Sequence, residues 1–208
     1  MINILFENDD FVVCIKPVGV ASQNDRTNDL VKILSAQKAS EIYPVHRLDT
    51  NVGGTMVFAK NSQIAALLSK QIANGDFRKK YLAVINGVPQ QKNSVLEDLL
   101  FKDSTKNKSY VVKRERKGVK RAKLEYSVLG TADNFSLIEV LLHTGRSHQI
   151  RVQFASRKMP LVGDGKYGSK DNRCSVALWS YEVCFLYNGE LLSFKSEPVK
   201  CNYPWNLF

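Results

Sequence analysis

The stretch Tyr43–Lys60 places side chains that could do chemistry beside a glycine-rich turn. Asp49 is at its centre, His46 and Arg47 precede it, and Gly53-Gly54 follow. A carboxylate on a loop that a strand holds in place is well suited to catalysis. It is also suited to accepting hydrogen bonds from turn amides, which is the commoner role of such residues. This stretch alone leaves both interpretations open and favours the structural one.

A second concentration of polar residues lies between His143 and Phe154 and contains Arg146, His148 and Arg151. Ser147 could cap a helix there. Cations near the start of a helix gain nothing from its dipole, so the two arginines suggest an acidic partner. They could equally be surface residues whose stems cover apolar neighbours.

The net charge of +10 is concentrated in one segment. Between Lys102 and Lys123 the chain has ten Lys or Arg residues and only two acids, a local charge of +8. Such a segment is typical of a surface that binds a polyanion, for which nucleic acid is the first candidate. The alternative is a solvated loop whose charge aids solubility. The basic residues that we predict to contact such a polyanion are Lys113, Arg114, Arg116 and Lys117.

Length and composition exclude several other classes. A chain of 208 residues can bury one sizeable core, and no apolar run approaches the roughly 20 residues of a membrane span. The N-terminus lacks the basic start of a signal peptide, so we expect a cytoplasmic protein without membrane association. The four cysteines lack the spacing of a zinc or redox motif and are interpreted as buried or partly buried free thiols. Glycines between Leu161 and Gly168 lack the Walker spacing, which favours a structural loop.

The pattern of elements predicts an α+β fold with a mainly antiparallel mixed sheet and flanking helices and loops. Three helices are expected: one that Thr27 or Asn28 caps, one that begins at Asn61 or Ser62 and stops at Asn74-Gly75, and one after Ser147. Among the strands, Gly54–Lys60 alternates loosely and is predicted to be half-buried. The turn Tyr187–Glu190 predicts a hairpin. No linker divides the chain, so residues 1–208 are predicted to form one domain.

Three motifs together carry a family resemblance. They are His46-Arg-Leu-Asp49, Lys79-Lys-Tyr81-Leu-Ala, and Thr144-Gly-Arg-Ser-His-Gln-Ile-Arg151 followed by Gly163-Asp-Gly-Lys-Tyr-Gly168. In order and spacing the chain resembles the pseudouridine synthases of the RluA family, from about Ile4 to Pro198. The resemblance implies their catalytic fold and the isomerisation of uridine to pseudouridine in RNA, without cofactor or metal.

The resemblance also implies roles for individual residues. Asp49 would be the nucleophile that attacks a flipped nucleotide, either at the ribose C1′ or at the uracil ring. Arg151 would pair with Asp49 and keep it ionised, and Tyr81 would stack on the base, with Tyr81 or a water removing the C5 proton. Arg47 would enter the space that the flipped base leaves. His46, Arg146 and His148 are further candidates for contact with RNA.

The sequence departs from the family pattern at three places. Val52-Gly53 replaces the usual Thr-Ser, Gln153 replaces a common histidine, and Leu178-Trp-Ser180 replaces Leu-His-Ala. The loss of two hydroxyls raises the question of what braces the loop that carries Asp49. The chain also shows no N-terminal RNA-binding domain of the S4 type, so we expect the catalytic domain, as a monomer, to make the RNA contacts.

Two other functions remain possible at this point. The first is an RNA-binding module that has lost catalytic activity. The second is a glycosidic hydrolase, which would need a second carboxylate beside Asp49, and Asp164 is the obvious candidate. The sequence does not distinguish ribosomal from transfer RNA, or one uridine from another.

Overall fold

A computed structural model describes residues 1–25, 29–38 and 40–208. The chain forms two compact units, the first from Met1–Lys80 with Trp179–Pro198 and the second from Tyr81–Leu178 with Val199–Phe208. The helices are α1 (Leu30–Lys38), α2 (Ser62–Asn74) and α3 (Gln149–Ser156). The strands are β1 (Asn3–Glu7), β2 (Phe11–Lys16), β3 (Tyr43–Pro44), β4 (Gly53–Ala59), β5 (Arg78–Asn86), β6 (Asn93–Asp103), β7 (Lys108–Val112), β8 (Val119–Ala132), β9 (Phe135–Leu142), β10 (Leu178–Tyr187) and β11 (Glu190–Lys195).

The first unit contains a mixed set of strands in the order β1-β2-β4-β10, with β3 beside β4 and β11 beside β10. The pairs are antiparallel except for β4 and β10, which run parallel where Trp179 faces Gly53. Phe11, Val57, Leu68 and Phe185 belong to its buried core. The predicted hairpin between β10 and β11 is confirmed.

Every residue of β4 is buried, so the prediction of a half-buried strand here is wrong. The strand lies between β2 and β10, and Val57 packs in the core with Leu68 of α2. Its other face is also covered, since Met56 lies against Ser22. Short apolar strands covered on both faces lose the strict alternation on which the sequence argument depends.

Helix α2 follows the predicted signals. The side chain of Asn61 accepts a hydrogen bond from the amide of Ile64, and Gly75 ends the helix in the left-handed conformation. Helix α1 extends to Lys38, beyond the apolar residues that predict it. Its expected caps, Thr27 and Asn28, lie outside the described residues.

The second unit contains strands in the order β5-β9-β8-β6-β7, and the pairs β9-β8, β8-β6 and β6-β7 are antiparallel. Helix α3 contacts β6 and β7, and Val152 packs in a cluster with Leu100 and Ala122. The eleven paired strands and three helices of the described residues confirm the predicted α+β fold with mainly antiparallel pairing. Of the four free thiols, Cys14 is buried and Cys174 and Cys184 are partly buried, whereas Cys201 is exposed, contrary to expectation.

Candidate active site

Asp49 lies in a tight turn immediately before β4. The amide of Val52 donates to the carbonyl of Asp49 at 3.0 Å, which closes the turn over Thr50 and Asn51. Asp49 itself is half-buried, and Arg47 beside it is exposed. The turn therefore presents a carboxylate that solvent reaches on one side and the protein holds on the other.

The hydroxyl of Ser22 anchors the residue that precedes Asp49. It accepts a hydrogen bond from the amide of Leu48 at 3.0 Å and donates to the carbonyl of the same residue at 2.9 Å. Both residues are buried. One side chain thus satisfies both backbone groups at the entry to the turn.

The ammonium of Lys16 anchors the middle of the turn. It donates to the carbonyls of Pro17, Val20 and Thr50, and the amide of Gly19 donates to the same Thr50 carbonyl at 2.9 Å. Lys16 is fully buried, and burial lowers its pKa to about 8, while the charge of Asp49 opposes this shift. The segment Lys16–Ser22 therefore supplies a brace that does not depend on hydroxyls at positions 52 and 53.

His46 makes internal contacts. Its Nε2 accepts a hydrogen bond from the amide of Val57 at 3.1 Å, and its ring lies 5.4 Å from that of Phe77. Burial, aided by the charge of Lys79, lowers the pKa of His46 to about 3. Among the described residues, Nδ1 has no hydrogen-bond partner. A neutral imidazole that fixes β4 is the role that these contacts support, and contact of His46 with RNA stays a prediction.

Tyr81 lies in β5 and is only 6% exposed. Burial of the residue fits the predicted alternation, in which Tyr81, Ala83 and Ile85 share a face of the strand. Tyr81 is therefore a buried residue of the second unit rather than a surface residue.

Arg151 is buried in α3, which excludes the interpretation as a surface residue. Its Nε and Nη2 donate to the two carboxylate oxygens of Asp164 at 2.7 and 2.8 Å. Asp164 is 1% exposed and Arg151 is 6% exposed, so this is a buried, bidentate ion pair. Asp164, in the glycine-punctuated loop after α3, is thus one acidic partner of Arg151, whereas the pairing of Arg151 with Asp49 stays a prediction. An aspartate committed to this pair also fits poorly as the second carboxylate of a glycosidase.

Tyr167 extends this arrangement. The Arg151 guanidinium lies 5.2 Å from the Tyr167 ring centre, and the Tyr167 hydroxyl accepts from the amide of Ser109 at 2.8 Å. Nδ1 of His148 lies 2.9 Å from the same hydroxyl. Burial raises the pKa of Tyr167. His148, a predicted RNA contact, is therefore tied to the residues around Arg151.

The start of α3 differs from the prediction, because Ser147 does not cap it. His148 occupies the capping position in a left-handed conformation, without a side-chain cap. Gln149 instead accepts hydrogen bonds from the amide of Arg146 at 3.0 Å and from the hydroxyl of Thr144 at 2.8 Å. The exposed Arg146 donates from Nε to the carbonyl of Arg121 at 2.9 Å.

The four basic residues predicted to bind RNA lie in the exposed loop between β7 and β8. Within this loop the Arg116 guanidinium is 4.7 Å from the ring centre of Phe101, and Glu115 forms an ion pair with Arg121. The loop thus joins the short strand β7 to the long strand β8 in the second unit. It consists of Lys113, Arg114, Glu115, Arg116, Lys117 and Gly118.

Sequence reasoning missed several residues of this site. From the sequence, no role is assigned to Lys16 or to Ser22. Gln153, one of the departures from the family pattern, donates to the Asp98 carboxylate at 2.7 Å.

In residues 1–25, 29–38 and 40–208, no group of three or more His, Cys, Asp or Glu side chains could hold a metal ion. No helix within those ranges is long and apolar enough to cross a membrane.

The features described above match the class of enzymes that modify nucleic acids. They are an α+β framework, an anchored carboxylate turn in the first unit, and a buried arginine and a basic loop in the second. A family model described as RNA pseudouridylate synthase matches residues 10–156, a range that includes Asp49, Tyr81 and Arg151. The chain belongs to this family, as the sequence motifs predict.

Individual relatives agree with this assignment. The ribosomal large subunit pseudouridine synthase C of Buchnera aphidicola is 33% identical over 172 residues, which cover 80% of this chain and 54% of that protein. The tRNA pseudouridine synthase C of Haemophilus influenzae is 29% identical over 209 residues, which cover 92% of this chain and 86% of that protein. The chain spans little more than half the length of several curated relatives that it matches.

A solved structure has the same fold. The human RNA pseudouridylate synthase domain containing 1 superposes with a TM-score of 0.82, and the match covers 99% of this chain and 86% of that chain. At 21% sequence identity, this similarity concerns the fold alone.

Proposed function

We propose that the protein isomerises uridine to pseudouridine in RNA, with Asp49 as the nucleophile. The observation that carries the proposal is the turn around Asp49, whose neighbours Leu48 and Thr50 are both held by buried side chains of the segment Lys16–Ser22. A nucleophile must be fixed at the reacting atom, and such anchoring supplies the fixed geometry. A residue that served only to complete a turn would not need it.

The other roles in the reaction follow from motif positions. Tyr81 stacks on the target base, and Arg151 pairs with the Asp49 carboxylate, which must be ionised to attack C1′ or the uracil ring. The glycosidic bond breaks, the freed base turns, C5 bonds to the ribose C1′ as the bond to Asp49 breaks, and the uracil N1 takes up a proton. The C5 proton then leaves to Tyr81 or to water. Arg47, which is exposed beside Asp49, fills the gap in the RNA.

The substrate is proposed to be ribosomal or transfer RNA, because the relatives above are named for one or the other. Mapping pseudouridines in both RNA classes, from cells with and without the gene, tests this assignment. Loss of one site would identify the RNA and the uridine. If no site is lost in either class, the assignment of the substrate is contradicted.

A cytoplasmic location and a monomeric state are further parts of the proposal, and light scattering of the purified protein tests the latter.

Asp49→Asn tests the nucleophile. The variant should bind RNA with unchanged affinity and form no pseudouridine, since an amide does not attack the nucleotide. Asp9→Asn is the matched control, because Asp9 is an exposed acid in the same unit. Turnover by Asp49→Asn would refute the assigned role. RNA binding without turnover by the wild-type protein, on every RNA tested, would instead support an inactive binding module.

The loop between β7 and β8 is proposed to bind the RNA backbone. Replacing its four cations with glutamine should weaken RNA binding and reduce the slope of log K against log salt by up to about 3, since single strands contribute about 0.7 per phosphate contact. A matched control neutralises four exposed lysines elsewhere. An unchanged slope in the loop variant would contradict this proposal and support the alternative that the loop serves only solubility. The control lysines are Lys70, Lys92, Lys158 and Lys170.

A further inference from the structure

Two of the departures from the family pattern lie directly against each other. In the parallel pair of β4 and β10, Trp179 faces Gly53. A Cβ atom on Gly53 would lie 2.5 Å from Cζ3 and 2.9 Å from Cε3 of the Trp179 ring, and 3.1 Å from a methyl of Val18. The indole therefore occupies the space that a side chain at position 53 would need.

The neighbouring Gly54 has a different reason for being glycine. Its φ is +120°, and an added Cβ would lie 2.3 Å from the backbone carbonyl oxygen of Ser180. Gly53 is not among the glycines with a positive φ. Backbone geometry thus requires Gly54, whereas the nearest obstacles to a larger residue at position 53 are the Trp179 and Val18 side chains.

The Trp179 ring is held in place by hydrogen bonds. Its Nε1 donates to the carbonyl of Ser196 at 2.9 Å, and the Ser196 hydroxyl lies 2.8 Å from that of Thr55 in β4. Ser180 completes the arrangement, since its hydroxyl donates to the carbonyl of Thr55 at 2.9 Å. The ring consequently covers the start of β4 and is tied to the same strand two residues further on.

We propose that Trp179 is a positioning residue for Asp49. The turn closed by the amide of Val52 leads directly into Gly53, so the ring seated on Gly53 fixes the exit of the turn, as Ser22 fixes its entry. This inference rests on the proposed function, because it assigns a role in placing the nucleophile. It also explains how the turn is braced without hydroxyls at positions 52 and 53.

A double-mutant cycle of Gly53→Ser and Trp179→His tests the coupling. In the wild-type background, Gly53→Ser forces the ring or the strand to move, and kcat should fall by about 100-fold, the loss expected from a displacement near 1 Å. In the Trp179→His background the two closest contacts, with the indole carbons, are removed, and the exposed Val18 side chain can move aside, so Gly53→Ser should change kcat by less than about threefold. The affinity for RNA should stay the same in all four proteins, because the basic loop is unaltered.

Two controls distinguish this coupling from general loss of packing. Gly54→Ala should be as damaging in the Trp179→His background as in the wild type, since its obstacle is the Ser180 backbone. Trp205→His, at the second tryptophan of the chain, should not relieve Gly53→Ser. Circular dichroism verifies folding, and Gly53→Ala replaces Gly53→Ser if the latter does not fold.

The possible results separate the inference from the proposed function. Equal losses of kcat from Gly53→Ser in both backgrounds, in an active wild type, would overturn the inference alone. Changes in thermal stability with unchanged kcat would also overturn it, because they would show packing without positioning. A wild-type protein that forms no pseudouridine in any RNA would overturn both.

Discussion

Replacing Ser22 with alanine removes the two hydrogen bonds that hold the backbone of Leu48, the residue before Asp49. The hydroxyl lies 3.0 Å from the Leu48 amide nitrogen and 2.9 Å from its carbonyl oxygen. Ser22 is 4% exposed and Leu48 is 5% exposed, so water does not readily replace the lost hydroxyl. The change leaves a buried donor and a buried acceptor without partners.

The expected loss of stability follows from these two groups. An unsatisfied buried polar group costs about 1–3 kcal/mol, which gives roughly 2–4 kcal/mol for the pair once the turn relaxes in part. For a chain of this size each kcal/mol corresponds to about 2–4 °C in Tm, so Tm should fall by roughly 4–16 °C. Because a relaxed turn moves Asp49, kcat should fall as well, while RNA affinity should not change.

Urea unfolding and single-turnover kinetics, both below the lowered Tm, measure the two effects. Ser156→Ala is the matched control, since the exposed Ser156 hydroxyl donates to the nearby Gln153 carbonyl and accepts from the neighbouring Arg157, and its loss should cost less than about 0.5 kcal/mol. If Ser22→Ala were as stable and as active as the wild type, the anchoring of the turn by Ser22 would be refuted.

Two further predictions concern buried charges. Since the pKa of Lys16 in the folded protein is about 8, below its ordinary value of 10.5, the unfolded chain binds more protons between these values and folding becomes more favourable as pH rises. The unfolding free energy of the wild type relative to Lys16→Met should therefore increase by about 3 kcal/mol from pH 8 to 10.5, and a constant difference would contradict the assigned burial. Asp164→Asn should destabilise the protein by about 3–5 kcal/mol, because it removes the ionised, bidentate Asp164 from the buried Arg151. Glu115→Gln, at an exposed ion pair, should have little effect, and equal effects of the two changes in thermal unfolding would argue against the importance of burial.

Local signals predicted much of the fold. Asn61 and Gly75 define the two ends of α2 because a side-chain cap and a left-handed glycine act within a few residues of the helix. The Asn188-Gly189 turn works in the same way, with both residues at positive φ. These features depend only on neighbours in the chain, so the sequence is sufficient to identify them.

The anchoring of the site could not be predicted because it depends on contacts between distant residues. Ser22 and Leu48 are 26 positions apart, and Arg151 and Asp164 are 13 positions apart. Position 53 is the clearest example. The sequence shows only that Gly53 lacks the hydroxyl of the family pattern. The structure shows that Trp179, from a strand far along the chain, occupies the space that a side chain at position 53 would need.

The predictions of a half-buried β4 and of a Ser147 cap on α3 were wrong. Burial of β4 on both faces removes the polar positions that would mark its orientation. At α3, His148 in the left-handed conformation takes the capping position instead of Ser147, and Gln149 holds the preceding loop through the Arg146 amide. The motif resemblance succeeded where periodicity did not, since it depends on the identity and order of residues across the chain.

The central claim is that Asp49 is the nucleophile of an RNA pseudouridine synthase. The most direct test incubates wild type, Asp9→Asn and Asp49→Asn with the RNA identified by mapping and quantifies pseudouridine after a single turnover. We expect full conversion by the wild type and Asp9→Asn and none by Asp49→Asn, with equal RNA binding by all three proteins. Pseudouridine formed by Asp49→Asn would contradict it.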